Sequence, residues 1–278
     1  TITQSLFRVL LCPRFLVRSF QIEKTRAPAS MNTITHTGVT EAAKAYDHQS
    51  VIFDELYGGD TMIAWKRARV RAAAAAGLPG NASVLELNAG TGEDAAWFAG
   101  QGHRVHATDV SAGMQEQLIV KMEKGGWRDQ VTNEICSFTE LAQLKQRGPF
   151  DLVFSNFGGL NCSPHLDKVL AELPSLLKPG GHALLVIMPS FCLWEFLMLF
   201  RGRFRTAFRR FAGKKGAKAN LEGMSFRCWY YSAASIRKMT REHFTITKIE
   251  GLCTIAPPSY IQGFDRKYPR AWKWLTEK

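Results

Sequence analysis

Two carboxylates flank a glycine-rich turn in the sequence. Residues 83–92 read SVLELNAGTG, in which Glu86 closes an apolar run and Gly90 and Gly92 follow it. Asp109 closes a second apolar run, HRVHATD. Glycine lets a backbone approach a ligand closely, since no Cβ intervenes, and a carboxylate can accept hydrogen bonds from neighbouring hydroxyls. This spacing predicts a site for a ligand that carries a ribose.

Two kinds of nucleotide ligand fit this pattern. Starting at Gly90, the turn matches G-x-G-x-x-A, which is typical of a loop that binds the pyrophosphate of NAD at a helix N-terminus. The same turn suits S-adenosylmethionine, which carries a sulfonium and an amino group. Glu86 favours the second ligand, because a carboxylate under the loop repels a pyrophosphate and attracts a cation. Glu86 could also accept backbone N–H groups of the turn, and both roles are compatible.

Strand and helix patterns alternate around this turn. The predicted strands are 83–87, 103–109, 130–136, 150–156 and 182–188, with helical patterns between them and a helical region over 40–77 before them. Such alternation predicts an α/β fold with a doubly wound, mostly parallel sheet and helices on both faces. Ligands of such sheets bind at the carboxyl ends of the strands.

Three segments together resemble the class I S-adenosylmethionine-dependent methyltransferases. They are VLELNAGTGEDAAWFAGQGHRVHATDVSAGM, FDLVFSNFGGLNC and LLKPGGHALLVIM, and the resemblance covers about residues 40–190. It implies a Rossmann-like core, S-adenosyl-L-methionine as the cofactor and S-adenosyl-L-homocysteine as the product. The first motif departs from the family pattern at Asn88, where the family has glycine. Asparagine tolerates left-handed backbone angles, so we expect the turn to survive.

The resemblance implies a set of cofactor-binding residues. They are Tyr46, Glu86, Asn88, Ala89, Gly90, Gly92, Asp109, Val110, Met114, Ser137, Phe138, Asn156 and Phe157. Asp109 is expected to hold the ribose and Met114 to pack on the adenine, although Met114 could equally be a core residue. Tyr46 would close over the cofactor from an N-terminal helix, or pack in the core.

The catalytic residues are less constrained. Methyl transfer from a sulfonium mainly requires a positioned nucleophile and the exclusion of water. Asn156 and His165 are the candidates, with His165 as the best-placed base for a hydroxyl acceptor; a solvent-facing loop histidine is the plainer alternative. The sequence shows no cluster that predicts a metal site. The N/D-P-P-Y motif of nucleic-acid amino methyltransferases is absent, and S-N-F-G stands in its place, so a nucleic-acid acceptor is not expected.

A basic segment follows the fifth predicted strand. Residues 201–218 contain eight Lys and Arg and no Asp or Glu. Phe200, Phe204, Phe208 and Phe211 would share one face of a helix. A basic amphipathic helix is typical of a membrane interface, or of a site for an acidic and partly apolar ligand. A solvated cap helix with its phenylalanines in the core is the alternative.

The acceptor is therefore expected to be a small molecule or lipid-like, beneath a lid formed by 190–222. Peripheral membrane contact would run through 190–218. The residues expected to bind the acceptor are Asn161, Arg205, Arg209, Trp229 and Tyr230.

The chain of 278 residues, 46% hydrophobic, suits one α/β domain with additions. We expect 1–30 to lie outside the core fold, 31–80 to form a helical cover, 81–189 the cofactor-binding core, 190–222 the lid, and 223–278 the rest of the sheet and a tail. Segment 1–30 is Arg-rich, which fits an organellar presequence or a start codon placed too early, with Met31 preferred as the start. FTITKIEGL supplies a sixth strand, and no convincing seventh strand follows it.

Three functions remain open on the sequence. Methyl transfer is preferred over a non-catalytic cofactor-binding or membrane-associating accessory protein, and an NAD-dependent oxidoreductase ranks third. Six cysteines without C-x-x-C spacing predict reduced thiols and a cytoplasmic location.

Overall fold

The computed structural model describes residues 5–11, 37–221, 223–254 and 263–277. Its strands are β1 (Ser5–Leu11), β2 (Ser83–Leu87), β3 (Arg104–Asp109), β4 (Val131–Ile135), β5 (Phe150–Ser155), β6 (Leu177–Ile187), β7 (Ala217–Leu221), β8 (Met224–Cys228) and β9 (Phe244–Gly251). Its helices are α1 (Thr37–Gln49), α2 (Phe53–Gly58), α3 (Thr61–Ala75), α4 (Glu93–Gly100), α5 (Ala112–Gly125), α6 (Leu166–Glu172), α7 (Leu193–Leu197), α8 (Phe204–Phe208), α9 (Ala233–Thr240), α10 (Phe264–Lys267) and α11 (Pro269–Glu277).

Seven strands form one parallel sheet in the order β4-β3-β2-β5-β6-β1-β9. The central strands are apolar throughout because both faces of the sheet are covered, and Val84, Leu85 and Leu152 are fully buried. The chain runs outward from β2 to β4 and then returns to β5 beside β2. The strand order therefore reverses between β2 and β5, where sheets of this kind bind ligands.

The predicted doubly wound core is confirmed. The predicted strand at 83–87 coincides with β2, and α4 follows Gly92 as expected. The helical pattern between the predicted strands at 103–109 and 130–136 is also present, as α5. The Ser111 side chain accepts a hydrogen bond from the Met114 N–H and so caps this helix. The helical region before β2 comprises three helices, α1 to α3.

The prediction that residues 1–30 lie outside the core fold is wrong for 5–11. These residues form β1, which lies between β6 and β9 and is parallel to both. Phe7 and Val9 are fully buried, so β1 adds apolar packing at this position of the sheet. Arg8 fits there because its guanidinium reaches Glu250 Oε2 at 3.0 Å and the Ala73 carbonyl oxygen at 3.2 Å. Residues 12–30 and Met31 lie outside the described residues.

The C-terminal part of the sheet differs in two ways from the expectation. The strand predicted at 244–252 is present as β9, but its partner in the sheet is β1. Within 223–278, which was expected to complete the sheet, β8 instead forms a separate antiparallel pair with β7 and does not join the main sheet.

The single basic amphipathic helix predicted after the fifth core strand is also wrong. The segment consists of α7, a 3₁₀ turn at Met198–Arg201 and α8. Gly202 separates them with a φ of +68°, a left-handed conformation that ends a helix. The alternative of phenylalanines in the core is wrong as well, since Phe200 is 81% exposed and Phe204 60%.

Among the described residues, no helix combines the length and the apolar composition that crossing a bilayer requires.

Candidate functional site

A cleft opens at the carboxyl ends of β2, β3 and β5, beneath α1 and α3. Its volume is about 830 Å³, with the open mouth included. Val39, Ala42 and Tyr46 line it from α1, and Arg67 lines it from α3. Besides Tyr46, ten more of the thirteen predicted cofactor-binding residues line it: Glu86, Asn88, Ala89, Gly90, Asp109, Val110, Met114, Phe138, Asn156 and Phe157.

The turn after β2 is fastened to the end of β3. The Gly90 N–H donates to Asp109 Oδ2 at 2.9 Å, and the Ser111 N–H donates to Asp109 Oδ1 at 2.9 Å. Burial raises the pKa of Asp109, and these backbone hydrogen bonds act in the opposite direction. Gly90 has a φ of +58°, and a Cβ built there would meet no atom within 4 Å. The loop thus presents bare backbone and an oriented carboxylate to the cleft.

Asn88 takes the left-handed conformation, with a φ of +49°, so the turn survives the missing glycine. Its side chain also connects two strands. Asn88 Nδ2 donates to the Asn156 carbonyl oxygen at 3.0 Å, and Ser155 Oγ donates to Asn88 Oδ1 at 2.6 Å. Asn88 therefore ties the end of β2 to the end of β5, which a glycine could not do.

Glu86 lines the cleft and is only 2% exposed. Its buried Oε2 has no hydrogen-bond partner in the described part of the protein. Burial raises the pKa of Glu86 well above its usual range, and the nearby carboxylate of Asp94 adds to the effect, whereas Arg67 and Arg71 oppose it. An unpaired carboxyl in such a place is costly, and a ligand cation beside it would remove that cost.

Asp94 holds α3 against α4 below the cleft. It accepts hydrogen bonds from Arg67 Nη1 at 2.9 Å and from Arg71 Nε at 2.7 Å. Asn156 Nδ2 donates to the same carboxylate at 2.9 Å. The Arg67 guanidinium also lies 4.5 Å from the ring centroid of Phe157. This network fixes the position of α3 relative to α4 and the end of β5.

The other side of the cover is attached through α1. Asp47 Oδ1 accepts hydrogen bonds from Ser111 Oγ at 2.5 Å and from the Gly113 N–H at 2.9 Å. The neighbouring Tyr46 lines the cleft. Burial, and next the charge of Cys162 when ionised, raise the pKa of Tyr46 well above 10.0. The Tyr46 side chain is therefore neutral where it lines the cleft.

Two of the predicted cofactor-binding residues do not line the cleft. Ser137 is buried, and its hydroxyl bonds to Thr139 Oγ1 at 2.8 Å. A Cβ built on Gly92 would lie 2.7 Å from Leu118 Cγ. Gly92 is thus required for the contact between α4 and α5, with a φ of +79°, and not for a ligand contact.

The two candidate catalytic residues are in different places. Asn156 lines the cleft with both ends of its amide engaged: Nδ2 donates to Asp94, and Oδ1 accepts from the Phe157 N–H at 2.8 Å. Phe157 has a φ of +58°, which is rare for a large side chain and marks functional sites. His165 is exposed before α6 and does not line the cleft.

The five residues expected to bind the acceptor also lie away from the cleft lining. Asn161 is fully buried, and its amide bonds to Met188 and Trp229. Trp229 is 8% exposed, and its Nε1 donates to the Lys214 carbonyl oxygen at 3.0 Å. Both side chains hold β8 and the end of β6 together, because their polar groups are already used there.

The other three residues expected to bind the acceptor, Arg205, Arg209 and Tyr230, lie in or beside the basic segment. Arg209 donates to Glu195 through Nε at 2.6 Å and through Nη2 at 2.5 Å. The Arg210 guanidinium lies 4.6 Å from the ring centroid of Tyr230. Arg205 is exposed. None of these side chains reaches the described cleft.

Sequence reasoning missed Arg67, Asp94 and Phe53 in the cleft lining. The available signals were weak. Asp94 follows the glycine turn at the start of a helix, and Arg67 and Arg71 are spaced to lie on one helix face. That these segments meet depends on the tertiary fold.

The geometry agrees with comparisons to known proteins. A family model described as a methyltransferase domain matches residues 84–181, the stretch that contains the glycine turn, Asp109 and β5. This part of the core is thus similar to a methyltransferase domain. The similarity indicates S-adenosylmethionine as the cofactor. The sequence finds no match among curated proteins.

Solved structures of this fold resemble the chain at low sequence identity. The CcbJ methyltransferase of Streptomyces caelestis is 20% identical, with 72% of this chain and 86% of that chain covered at a TM-score of 0.51. The phosphoethanolamine N-methyltransferase 2 of Haemonchus contortus is 16% identical, with coverages of 76% and 44% and a TM-score of 0.53. The [4+2]-cyclase SpnF is 14% identical, with coverages of 74% and 71% and a TM-score of 0.54. The match spans less than half the length of the Haemonchus protein.

The residues of the cleft fit the cofactor of this methyltransferase core. The unpartnered Glu86 oxygen is chemically suited to a cationic amino group, and two backbone N–H groups fix the Asp109 carboxylate. Val110, Met114 and Phe138 form an apolar part of the lining. The lining therefore combines acidic and apolar groups of the kind that such a cofactor requires.

Proposed function

We propose that the protein transfers a methyl group from S-adenosylmethionine to a small-molecule or lipid-like acceptor by in-line displacement. The observation that carries this proposal is the buried carboxyl of Glu86, which faces the cleft with an unpartnered oxygen. A pyrophosphate would be repelled there, which disfavours the NAD-dependent oxidoreductase. When bound, the cofactor supplies an electrophilic methyl group on its sulfonium.

The residues of the chain would bind and orient rather than exchange protons. Glu86 would receive the amino group, and Asp109 the ribose. Asn88 and Asn156 keep the ends of β2 and β5 at a fixed separation through their amides. The helical cover would exclude water, and positioning of this kind is the main requirement of methyl transfer.

The titratable groups near the cleft favour a particular class of acceptor. Burial raises the pKa of Tyr46, and a hydrogen bond with Cys228 followed by burial raises that of Cys162. Both side chains are protonated at neutral pH, so neither serves as a general base. His165 is outside the cleft lining. An acceptor that is nucleophilic without losing a proton to the enzyme, such as a neutral amine, fits this site best.

The fold is compatible with a small amine acceptor. The Haemonchus structure described above holds phosphomonomethylethanolamine together with S-adenosylhomocysteine. That ligand is a small phosphorylated amine, of the class proposed here. The likeness itself concerns the fold, and the chemistry of the cleft supports the acceptor class.

Isothermal titration with S-adenosylmethionine, S-adenosylhomocysteine and NAD tests the proposal. The first two should bind, and NAD should not. Asp109→Ala should weaken binding of S-adenosylhomocysteine by about 1.5–3 kcal/mol, the usual worth of hydrogen bonds to a charged group. Asp129→Ala, an exposed aspartate outside the lining, is the matched control. Equal affinities of the Asp109 variant and the wild type, with the fold intact, would rule out the ribose assignment.

A cofactor-binding protein without methyl transfer is the second candidate. It is favoured by the lack of a base among Tyr46, Cys162 and His165, and SpnF, a neighbour in fold, is named as a cyclase. Labelled methyl transfer to a panel of small amines and phosphorylated amines distinguishes the two. Tight cofactor binding without transfer to any of them would support the second candidate.

A further inference from the structure

One face of the protein carries exposed aromatic rings among cations. We define this docking face as the exposed side chains of 191–218. Its apolar members are Phe191 at 50% exposure, Leu193 at 42%, Leu197 at 39%, Phe200 at 81%, Phe204 at 60%, Phe208 at 49% and Phe211 at 57%. Single exposed apolar residues need no explanation, but a concentration of this kind in one short segment does.

The exposure follows from how the segment folds. Glu195 is 1% exposed and bonds to Arg209 and Arg210, so α7 and α8 fold around an ion cluster. The phenylalanine rings are left outside that cluster and contact one another. Phe196 and Phe208 have ring centroids 6.4 Å apart, and Phe208 and Phe211 6.3 Å apart.

The cations of the segment divide into two groups. Arg209 and Arg210 are used internally by Glu195. The other six are exposed and form no ion pair within the described residues: Arg201, Arg203, Arg205, Lys214, Lys215 and Lys218. Residues 201–218 contain no acid, so this positive charge faces solvent without compensation.

The helix α10 extends the same face. Trp194 of α7 and Phe264 of α10 have ring centroids 6.4 Å apart. Arg201 and Tyr268 line one surface groove between these two parts of the chain. Tyr268 is 48% exposed, and the exposed Lys267 places its Nζ 5.4 Å from the Tyr268 ring centroid. A further aromatic ring and a further cation therefore lie beside the docking face.

We propose that this face docks on the surface of an anionic lipid bilayer. Cations without acids complement the negative potential of such a surface, and aromatic and leucine side chains gain by leaving water for the region between headgroups and acyl chains. A hydrated nucleic-acid backbone would satisfy the cations but would leave Leu193, Leu197 and most of the phenylalanine area in water. This docking does not depend on the proposed methyl transfer.

Vesicle flotation of the full chain tests the docking face. The wild type should float with phosphatidylcholine vesicles that contain roughly 30% phosphatidylserine, and only a small fraction of it should float with phosphatidylcholine alone. Raising the salt from about 0.1 M to about 1 M shortens the Debye length from about 10 Å to about 3 Å, and should weaken binding. The inserted rings should leave a residual, salt-resistant fraction.

Two variants separate the apolar and the charged parts. F200S/F204S should lower the partition coefficient at least ~10-fold, since two large apolar side chains are lost. R201Q/R203Q/K215Q should lower it roughly 100-fold, because each Lys or Arg near an anionic surface contributes about a fivefold gain in binding. Affinity for S-adenosylhomocysteine should not change in either variant, which also verifies the fold.

Matched controls remove the same chemistry elsewhere. V120S/I135S removes two exposed apolar side chains, of 42% and 60% exposure. R104Q/K124Q/K168Q removes three exposed cations. Both controls should float like the wild type.

Three results would overturn the proposal. The wild type could fail to float with anionic vesicles, or the control variants could lose as much binding as the variants of the face. Single-stranded RNA could also displace the protein from vesicles while its own binding depended on the same residues, which would assign the face to nucleic acid.

Discussion

Two buried carboxylates are each held by two arginines, one in the cleft and one in the segment after β6. Asp94 receives Arg67 and Arg71 and connects α3 to α4. Glu195 receives Arg209 and Arg210 and connects α7 to the chain that follows α8. Each cluster consists of one carboxylate and two arginines, and each joins two helical segments.

Their surroundings differ. Burial would raise the pKa of Glu195, but hydrogen bonds and charge from Arg209 and Arg210 outweigh it and hold the pKa below its usual value. Asp94 shares its arginines with Glu86, whose pKa is raised by burial and then by Asp94 itself. In the Glu195 cluster the two arginines fully compensate the carboxylate, and we call this cluster complete. In the Asp94 cluster the arginines do not compensate the neighbouring Glu86 carboxyl, and we call this cluster incomplete. The incomplete cluster is the one that lines the cleft.

Breaking the complete cluster should have the largest effect on stability. Glu195→Gln removes the negative charge that Glu195 supplies to Arg209 and Arg210, and Arg210 is only 4% exposed. Losing one partner of a buried ion cluster typically costs about 3–5 kcal/mol. Urea denaturation should show that loss in the free energy of unfolding, whereas affinity for S-adenosylhomocysteine in the folded protein should stay the same.

The pH dependence of this cluster has a defined sign. Because the folded-state pKa of Glu195 is lowered, its stabilisation is present above the unfolded-state pKa near 4.5 and is lost as the pH falls through the folded value. The difference in unfolding free energy between wild type and Glu195→Gln should shrink in acid. A difference that stays constant down to pH ~3 would contradict this account.

Breaking the Asp94 cluster should lower the free energy of unfolding less than Glu195→Gln does. It should, however, weaken the binding of S-adenosylhomocysteine. Asp94→Asn removes the carboxylate charge that Arg67 and Arg71 share, while their side chains, 15% and 18% exposed, keep some contact with water. We expect a loss of about 2–3 kcal/mol in unfolding free energy, the range for a hydrogen bond to a charged group left unmade. Without the Asp94 charge, both arginines would act more strongly on Glu86, so affinity for S-adenosylhomocysteine should fall about tenfold by titration calorimetry. Unchanged affinity would show that the two carboxyls are not linked.

Glu86→Gln should separate stability from binding. The wild-type carboxyl has a raised folded-state pKa, so it opposes folding increasingly as the pH rises from about 4.5 towards that value. The glutamine variant should be more stable than the wild type at neutral pH by about 1 kcal/mol, and should bind the cofactor more weakly. Urea denaturation and titration calorimetry on the same samples measure the two effects.

The same residue predicts the pH dependence of binding. A ligand ammonium beside Glu86 favours the carboxylate, so the complex holds fewer protons than the free protein. Cofactor affinity should therefore rise with pH up to the folded-state pKa, with release of a proton on binding. Calorimetry in buffers of different ionisation enthalpy measures that release, which should vanish in Glu86→Gln. Proton uptake in the wild type would be the opposite result.

Asn88→Gly should have the smallest effect. Glycine suits the left-handed angle, but the hydrogen bonds to Asn156 and Ser155 would be lost, and we expect a net loss of about 1 kcal/mol. Asn81→Gly is the matched control, because Asn81 is exposed with a φ of +56°. Thermal unfolding should show no destabilisation in the control. Equal behaviour of the two variants would mean that the amide contacts of Asn88 contribute nothing.

The sequence predicted the part of the cleft that local rules determine. The strand at 83–87, the turn after it and the carboxylate at Asp109 follow from hydrophobic runs and glycines in one stretch. The conformation of Asn88 was also predictable, but its two contacts were not, because they join segments far apart in the chain. The ion cluster at Asp94 escaped prediction for the same reason.

Charge patterns misled the sequence analysis in two places. Arginines made 1–30 resemble a presequence, yet Arg8 is accommodated within β1 by Glu250. The regular spacing of Phe200 and Phe204 indicated one helix, whereas Gly202 divides the segment and Glu195 selects which arginines turn inward. In both places the arginines pair with a glutamate that lies outside the basic pattern, Glu250 in the first and Glu195 in the second.

The position of β1 has a consequence for folding kinetics. SLFRVLL precedes its partners β6 and β9 in the chain by well over a hundred residues, so it is synthesised long before them. Pairing between such distant segments is slow because a long loop must close first. Until then an apolar segment of high β-propensity stays unpaired, which is the usual condition for aggregation. Arg8 places a single charge in the middle of that segment and interrupts its apolar surface. This charge would retard self-association until β6 and β9 have been synthesised.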